Sequence, residues 1–215
     1  MFQLRRALAA GVGAVCLSVA ILPSASAADS PDVTDASELT VRAGDQEWTF
    51  DEFIELGGNL ESEDSSDAPA IQPMLLGPVD LLECNVLNNA DHMIISYDTM
   101  ARSGWPGGVL RLFCGTLSSG YKHIDDRHAA DWISKGESIG YYEQPWDDLM
   151  DSAVWVSTLG ESSAGITVNQ GSGKWCMTTP MTFWIGDQLV GTMDPRIILS
   201  ENNMLVITAI PGGGC

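Results

Sequence analysis

The stretch "KWCMTTPMTFWIG", Lys174 to Gly186, is rich in the aromatic, β-branched and hydroxylated side chains of a β-strand. Turn residues bound it, "GSG" before and "GDQ" after. Working outward, "AGITVNQ" precedes it, and "QLVGTM", "RIILS" and "MLVITAIP" follow, with "DP" and "ENN" as further breaks. This pattern predicts a C-terminal antiparallel sheet of four or five strands.

Upstream the period changes. In "PWDDLMDSAVWVSTLGE", Trp146, Leu149, Met150, Ala153 and Val154 recur at helical spacing. Pro145 suits a first turn, Asp147 and Asp148 complement the helix dipole, and Gly160 is a stop. With Asp151, these carboxylates read as a solvated capping face rather than a calcium site. Further upstream, "HMIISYDTM" and "VLRLFCGT" read as strands around the turn "RSGWPGG". Trp105, in that turn, is expected at the surface, as a candidate contact for a glycan or protein partner. The order of elements predicts an α+β fold, with N-terminal strands and two helices packed on the C-terminal sheet.

The first residues, "MFQLRRALAAGVGAVCLSVAILPSASA", carry a charged start (Arg5, Arg6), an apolar core from Ala7 to Leu22 and a small-residue cleavage site, Ala25-Ser26-Ala27. Residues 1–27 are therefore expected to be a secretory signal peptide. The apolar run is shorter than the roughly 20 residues that span a bilayer. Residues 28–73 read as an acidic, mostly flexible arm. Its "ESEDSSDAPAIQP" is nearly free of large apolar side chains. Within the arm, "LTVR" is expected as a short strand and "TFDEFIELGG" as one or two helical turns capped by Thr49 or Asp51 and stopped by Gly57. Residues 74–215 are expected to form one α+β domain, exported to the extracellular space or cell envelope.

The formal charge is −19. An acidic chain lacks the counterion-release term that drives most nucleic-acid binding. Beyond the signal lie Cys84, Cys114, Cys176 and Cys215. An even count in an exported chain predicts two disulfides. Cys114–Cys176 and Cys84–Cys215 are the expected pairs, the latter clamping the "PGGG" tail. No C-x-x-C or H-E-x-x-H is present, so no metal or cofactor is expected. The serine-hydrolase G-x-S-x-G is also missing, and "NQGSGKW" lacks the spacing of a phosphate loop.

Two of the three histidines fall in "GYKHIDDRHAADW", Gly120 to Trp132. On a helix, His123 and Arg127 share one face, Ile124, His128 and Trp132 another, and Lys122 can pair with Asp126. The two histidines are about 140° apart around the axis, poor geometry for binding one metal. His128 reads as half-buried between Ile124 and Trp132, which leaves His123 as the candidate for chemistry.

"GYKHIDDRH", followed by a second helix, a C-terminal antiparallel sheet and a final "LVITAIP", resembles the barnase–EndoU–colicin–RelE group of ribonuclease and toxin folds, over roughly Cys114 to Pro211. The resemblance implies metal-independent RNA cleavage, with RNA as partner. It implies His123 as general acid or base and Arg127 or Lys122 on the phosphate, with Tyr121, Thr178 or Thr208 assisting. Such cleavage needs two proton-transfer groups and a cation, which these residue types supply. The alternative is a non-catalytic protein that keeps the fold to bind a protein or envelope component.

Overall fold

The computed structural model describes residues 39–57, 75–101, 104–141, 145–159 and 167–215. The expected signal peptide and the acidic linker "ESEDSSDAPAIQP" lie outside the described residues. Among those described, no helix is long and apolar enough to cross a membrane.

The fold is α+β. In chain order it contains β1 (Leu39–Ala43), β2 (Gln46–Thr49), α1 (Phe50–Gly57), α2 (Pro78–Leu81) running into a π-turn (Leu82–Val86), β3 (Met93–Thr99) and β4 (Gly108–Phe113). Then come α3 (Tyr121–Ser138), α4 (Trp146–Leu159), β5 (Thr167–Gly171), β6 (Lys174–Thr178), β7 (Met181–Ile185), β8 (Gln188–Met193), β9 (Arg196–Ser200) and β10 (Val206–Ile210). The strands form a sheet ordered β2-β1-β7-β8, a second ordered β10-β9-β6-β5, and the hairpin β3-β4.

The expected single C-terminal sheet is therefore divided, and the division falls inside Lys174–Gly186. Pro180 carries no backbone N–H and biases Thr179 away from helix. The ladder stops at Thr178, paired with Thr167, and resumes at Met181, paired with Met193. β6 stays with its neighbours, while β7 leaves to pair with β1, Val41 opposite Phe183. Trp175, Met177, Met181 and Phe183 are all buried, so one alternating pattern serves two sheets.

This division draws Leu39–Gly57 into the folded body. Thr49 and Glu52 form a reciprocal cap at the start of α1. The Glu52 N–H donates to Thr49 Oγ1 (3.3 Å) and the Thr49 N–H to Glu52 Oε2 (2.9 Å). Phe50, Phe53 and Ile54 are buried, with Phe53 edge-on to Phe183. Gly57 lies so close to α4 that a Cβ there would meet Asp151 Oδ2 at 2.7 Å. The domain thus starts well before Met74. The short strand expected in "LTVR" and the helical turns expected in "TFDEFIELGG" are there as β1 and α1, but packed into the domain core rather than lying in a flexible arm.

Three further expectations are corrected. The disulfides are Cys84–Cys114 and Cys176–Cys215. Cys215 does clamp the tail, but onto β6. There the Gly214 N–H donates to Asp194 O (3.0 Å), while Arg196 Nε and Nη2 donate to the carbonyls of Gly214 (2.6 Å) and Gly213 (2.7 Å). Trp105 is buried, 2 % exposed. Its Nε1–H donates to Thr99 Oγ1 (3.0 Å) and its ring meets Trp175 edge-on at 5.3 Å. Asp147, Asp148 and Asp151 are also buried rather than solvated.

The stripe of α4 is as expected, with Leu149, Met150, Ala153 and Val154 fully buried. α3 buries Tyr121, Ile124 and Trp132, and Trp132 Nε1–H donates to Ala209 O in β10 (3.1 Å).

Candidate functional site

α3 begins after the loop Gly115–Gly120, which two constraints hold in shape. Gly115 and Gly120 both have positive φ, 67° and 82°. A Cβ on Gly120 would lie 2.8 Å from Phe113 O, and one on Gly115 would collide with Ser119 O. Beside the loop, Cys114 is bridged to Cys84. The Thr116 N–H donates to Ser119 O (2.8 Å), closing a tight turn whose tip is Leu117 and Ser118.

The tip positions His123. Its Nδ1 lies 2.9 Å from Leu117 O. A carbonyl only accepts, so Nδ1 donates, and in the neutral tautomer Nε2 carries the lone pair. One and a half turns on, His128 Nδ1 lies 3.1 Å from Asp131 Oδ2, a contact in which Nδ1–H donates to the carboxylate. Helical side chains lean toward the N-terminus, so the ring of His128 reaches back to that of His123. The ring centroids are 5.7 Å apart and nearly perpendicular, at 83°. The 140° separation about the axis therefore does not keep the rings apart. His128 is half-buried, as expected, with its side chain 19 % exposed, and its ring lies beside that of His123.

The other expected site residues divide. Arg127 is exposed on the same part of α3. Lys122 donates to Asn88 Oδ1 (2.9 Å) rather than pairing with Asp126. Tyr121 points the other way: it is buried, stacked on Trp146 at 5.7 Å, and donates to Asp147 Oδ2 (3.0 Å). Burial, then the carboxyl of Asp147, push its hydroxyl far above the usual phenol range. Thr178 and Thr208 are buried in β6 and β10, and their hydroxyls have no partner among the described residues. The structure thus brings the rings of His123 and His128 together, leaves Arg127 exposed on the same helix, and sends Tyr121, Thr178 and Thr208 elsewhere.

A second titratable cluster sits at the start of α4. Asp151 accepts from Tyr97 of β3, Asp147 from Tyr121 of α3, and Asp148 Oδ1 from the Leu75 N–H (2.8 Å). No cation takes part in these contacts. Burial raises all three carboxyls, Asp148 to about 7 and Asp151 well above its ordinary value. The Oδ2 of Asp148 and the hydroxyl of Tyr141 have no hydrogen-bond partner among the described residues. Among those residues no group of histidine, cysteine or carboxylate side chains has a metal-binding arrangement. The cluster is buried packing between α1, α3, α4 and β3.

Sequence reasoning missed His128 because helical phase assigns a Cα direction, not the reach of a ring. The signal available was Asp131, placed at i+3 to orient it. No family model matches this chain, and no curated protein or solved structure is significantly similar to it.

Proposed function

We propose that the protein is an exported, metal-independent RNA-cleaving domain with His123 and His128 as its proton-transfer pair. The observation that carries this reading is the perpendicular pair of imidazoles, each held at Nδ1 by an oxygen and each with Nε2 open. His123, as free base, takes the proton of a ribose 2′-OH. The 2′-oxygen forms a bond to phosphorus as the P–O5′ bond breaks. His128, as imidazolium, gives its proton to the departing 5′-oxygen, with Asp131 orienting the ring. Arg127 stabilises the charge that builds on the phosphate oxygens. Export is supported by the two disulfides, which persist in oxidising compartments, and by the signal-like N-terminus.

A second reading, a non-catalytic extracellular or envelope binding protein, is favoured by a different observation. Val79, Leu82, Val86 and Leu87, on α2 and the turn after it, are 48–66 % exposed. The −19 charge, with Asp125 and Asp126 exposed beside the histidines, also opposes a polyanion.

The experiment is incubation of the oxidised protein with RNA in EDTA, beside His123→Ala and His128→Ala. Cleavage to 2′,3′-cyclic phosphate ends, lost in both variants, is the expected result. Intact RNA at every pH and at low salt would sink the catalytic reading in favour of the binding one.

A further inference from the structure

The loop that holds His123 has a second face. Gly115 to Gly120 forms one wall of a groove of about 480 Å³, within the roughly 300–1,000 Å³ of small-molecule sites. Phe113, Val206 and Ile207 make its apolar floor, and the turn after β9 supplies the opposite wall with Ser200 and Asn203. Asp91 and Lys174 line it as well, one charge of each sign. Neither forms a salt bridge among the described residues.

Two properties narrow what fits. The groove is close to neutral, which disfavours a phosphate and suits an uncharged ligand with polar edges. The hydroxyls of Ser119 and Ser200 and the amide of Asn203 make no hydrogen bond among the described residues, so they are open to a ligand. An amide both donates and accepts, as the edge of a nucleobase requires, and the partly exposed ring of Phe113 offers a stacking face. The glycines and the Cys84–Cys114 bridge fix the wall before binding, which lowers the cost of ordering it.

We propose that this groove is a nucleoside subsite: it takes the base and ribose of one RNA residue, while the phosphate remains outside at the histidine pair. The proposal rests on the RNA-cleaving reading for its purpose, but the groove is testable without it. The two are joined by one element, since Leu117 of the loop holds His123 while Ser119 lines the groove.

The test is an amide NMR titration of the full oxidised protein with uridine, cytidine, adenosine and guanosine, all unphosphorylated, and with inorganic phosphate. Saturable shifts at Ser119, Gly120 and Asn203 with at least one nucleoside are expected, weakened about fivefold in Asn203→Ala, the size of one lost hydrogen bond. On RNA, Asn203→Ala should raise KM about fivefold with kcat unchanged. Nucleoside binding without RNA cleavage would keep the groove and remove the histidine mechanism. RNA cleavage with no nucleoside shifts, or shifts produced by phosphate alone, would overturn the subsite and leave the histidine pair standing.

Discussion

α3 and α4 each carry an Asp-Asp pair near the N-terminus, "HIDDRH" and "WDDLMD", and treat it in opposite ways. Asp125 and Asp126 are exposed, beside two open imidazoles and Arg127. Asp147 and Asp148 are buried with Asp151, against Tyr97, Tyr121 and the Leu75 N–H. The dipeptide is the same, so its surroundings decide. α4 lies between α1 and β3, and its carboxyls are tolerated there because hydroxyls and an amide satisfy them or because they keep their protons. α3 leaves its Asp-Asp pair in solvent, beside the half-buried rings of His123 and His128. The same dipeptide is thus solvent-facing in one helix and part of a buried junction in the other.

The largest effect that could break this contrast is on rate. His128→Ala and His123→Ala should each lower RNA cleavage by about 10²–10⁴-fold while leaving the melting temperature nearly unchanged. A variant that unfolds instead would place the histidines in the structural class with the aspartates. Next in size, Tyr97→Phe leaves the buried Asp151 without its donor and should cost about 1–3 kcal/mol of stability in denaturant titration.

The acid cluster also predicts a pH dependence. Folded-state values above the unfolded value of about 4 mean that the native protein holds more protons than the unfolded chain. The stability these groups contribute is full below about pH 4 and is lost as pH rises toward about 7, where Asp148 ionises. Calorimetry should show a higher melting temperature at pH 5 than at pH 8. Asp148→Asn, which keeps an oxygen for the Leu75 N–H, should flatten that slope. The smallest effect sharpens the comparison from the other side. Asp126→Asn, on the exposed pair, should change stability by no more than about 0.5 kcal/mol.

What was legible in the sequence follows the same physics. The apolar stripe of α4 could be read because burial of Leu149, Met150, Ala153 and Val154 follows from helical period alone. The α+β class followed from the order of strand-like and helix-like runs. Pro180 marked the division of the sheet, but the apolar pattern runs on through it and reads as one strand. Burial of Asp151 depends on Tyr97, 54 residues away, and periodicity counts an aspartate as polar wherever it stands. Trp105 sits in turn chemistry, yet its ring folds inward onto Trp175. The disulfide pairs were likewise set by the tertiary fold, one joining the π-turn to the end of β4 and the other joining β6 to the C-terminal tail, which Cys spacing does not encode. Of the site, His123 and Arg127 could be found on α3, whereas His128 required the reach of its side chain.

The most direct test is the pH–rate profile for cleavage of a defined dinucleotide in EDTA. A base and an acid acting together predict a bell-shaped profile, with the alkaline limb removed in whatever residual activity His128→Ala retains. A profile unchanged by that substitution, or no cleavage at any pH, would contradict the assignment of the histidine pair.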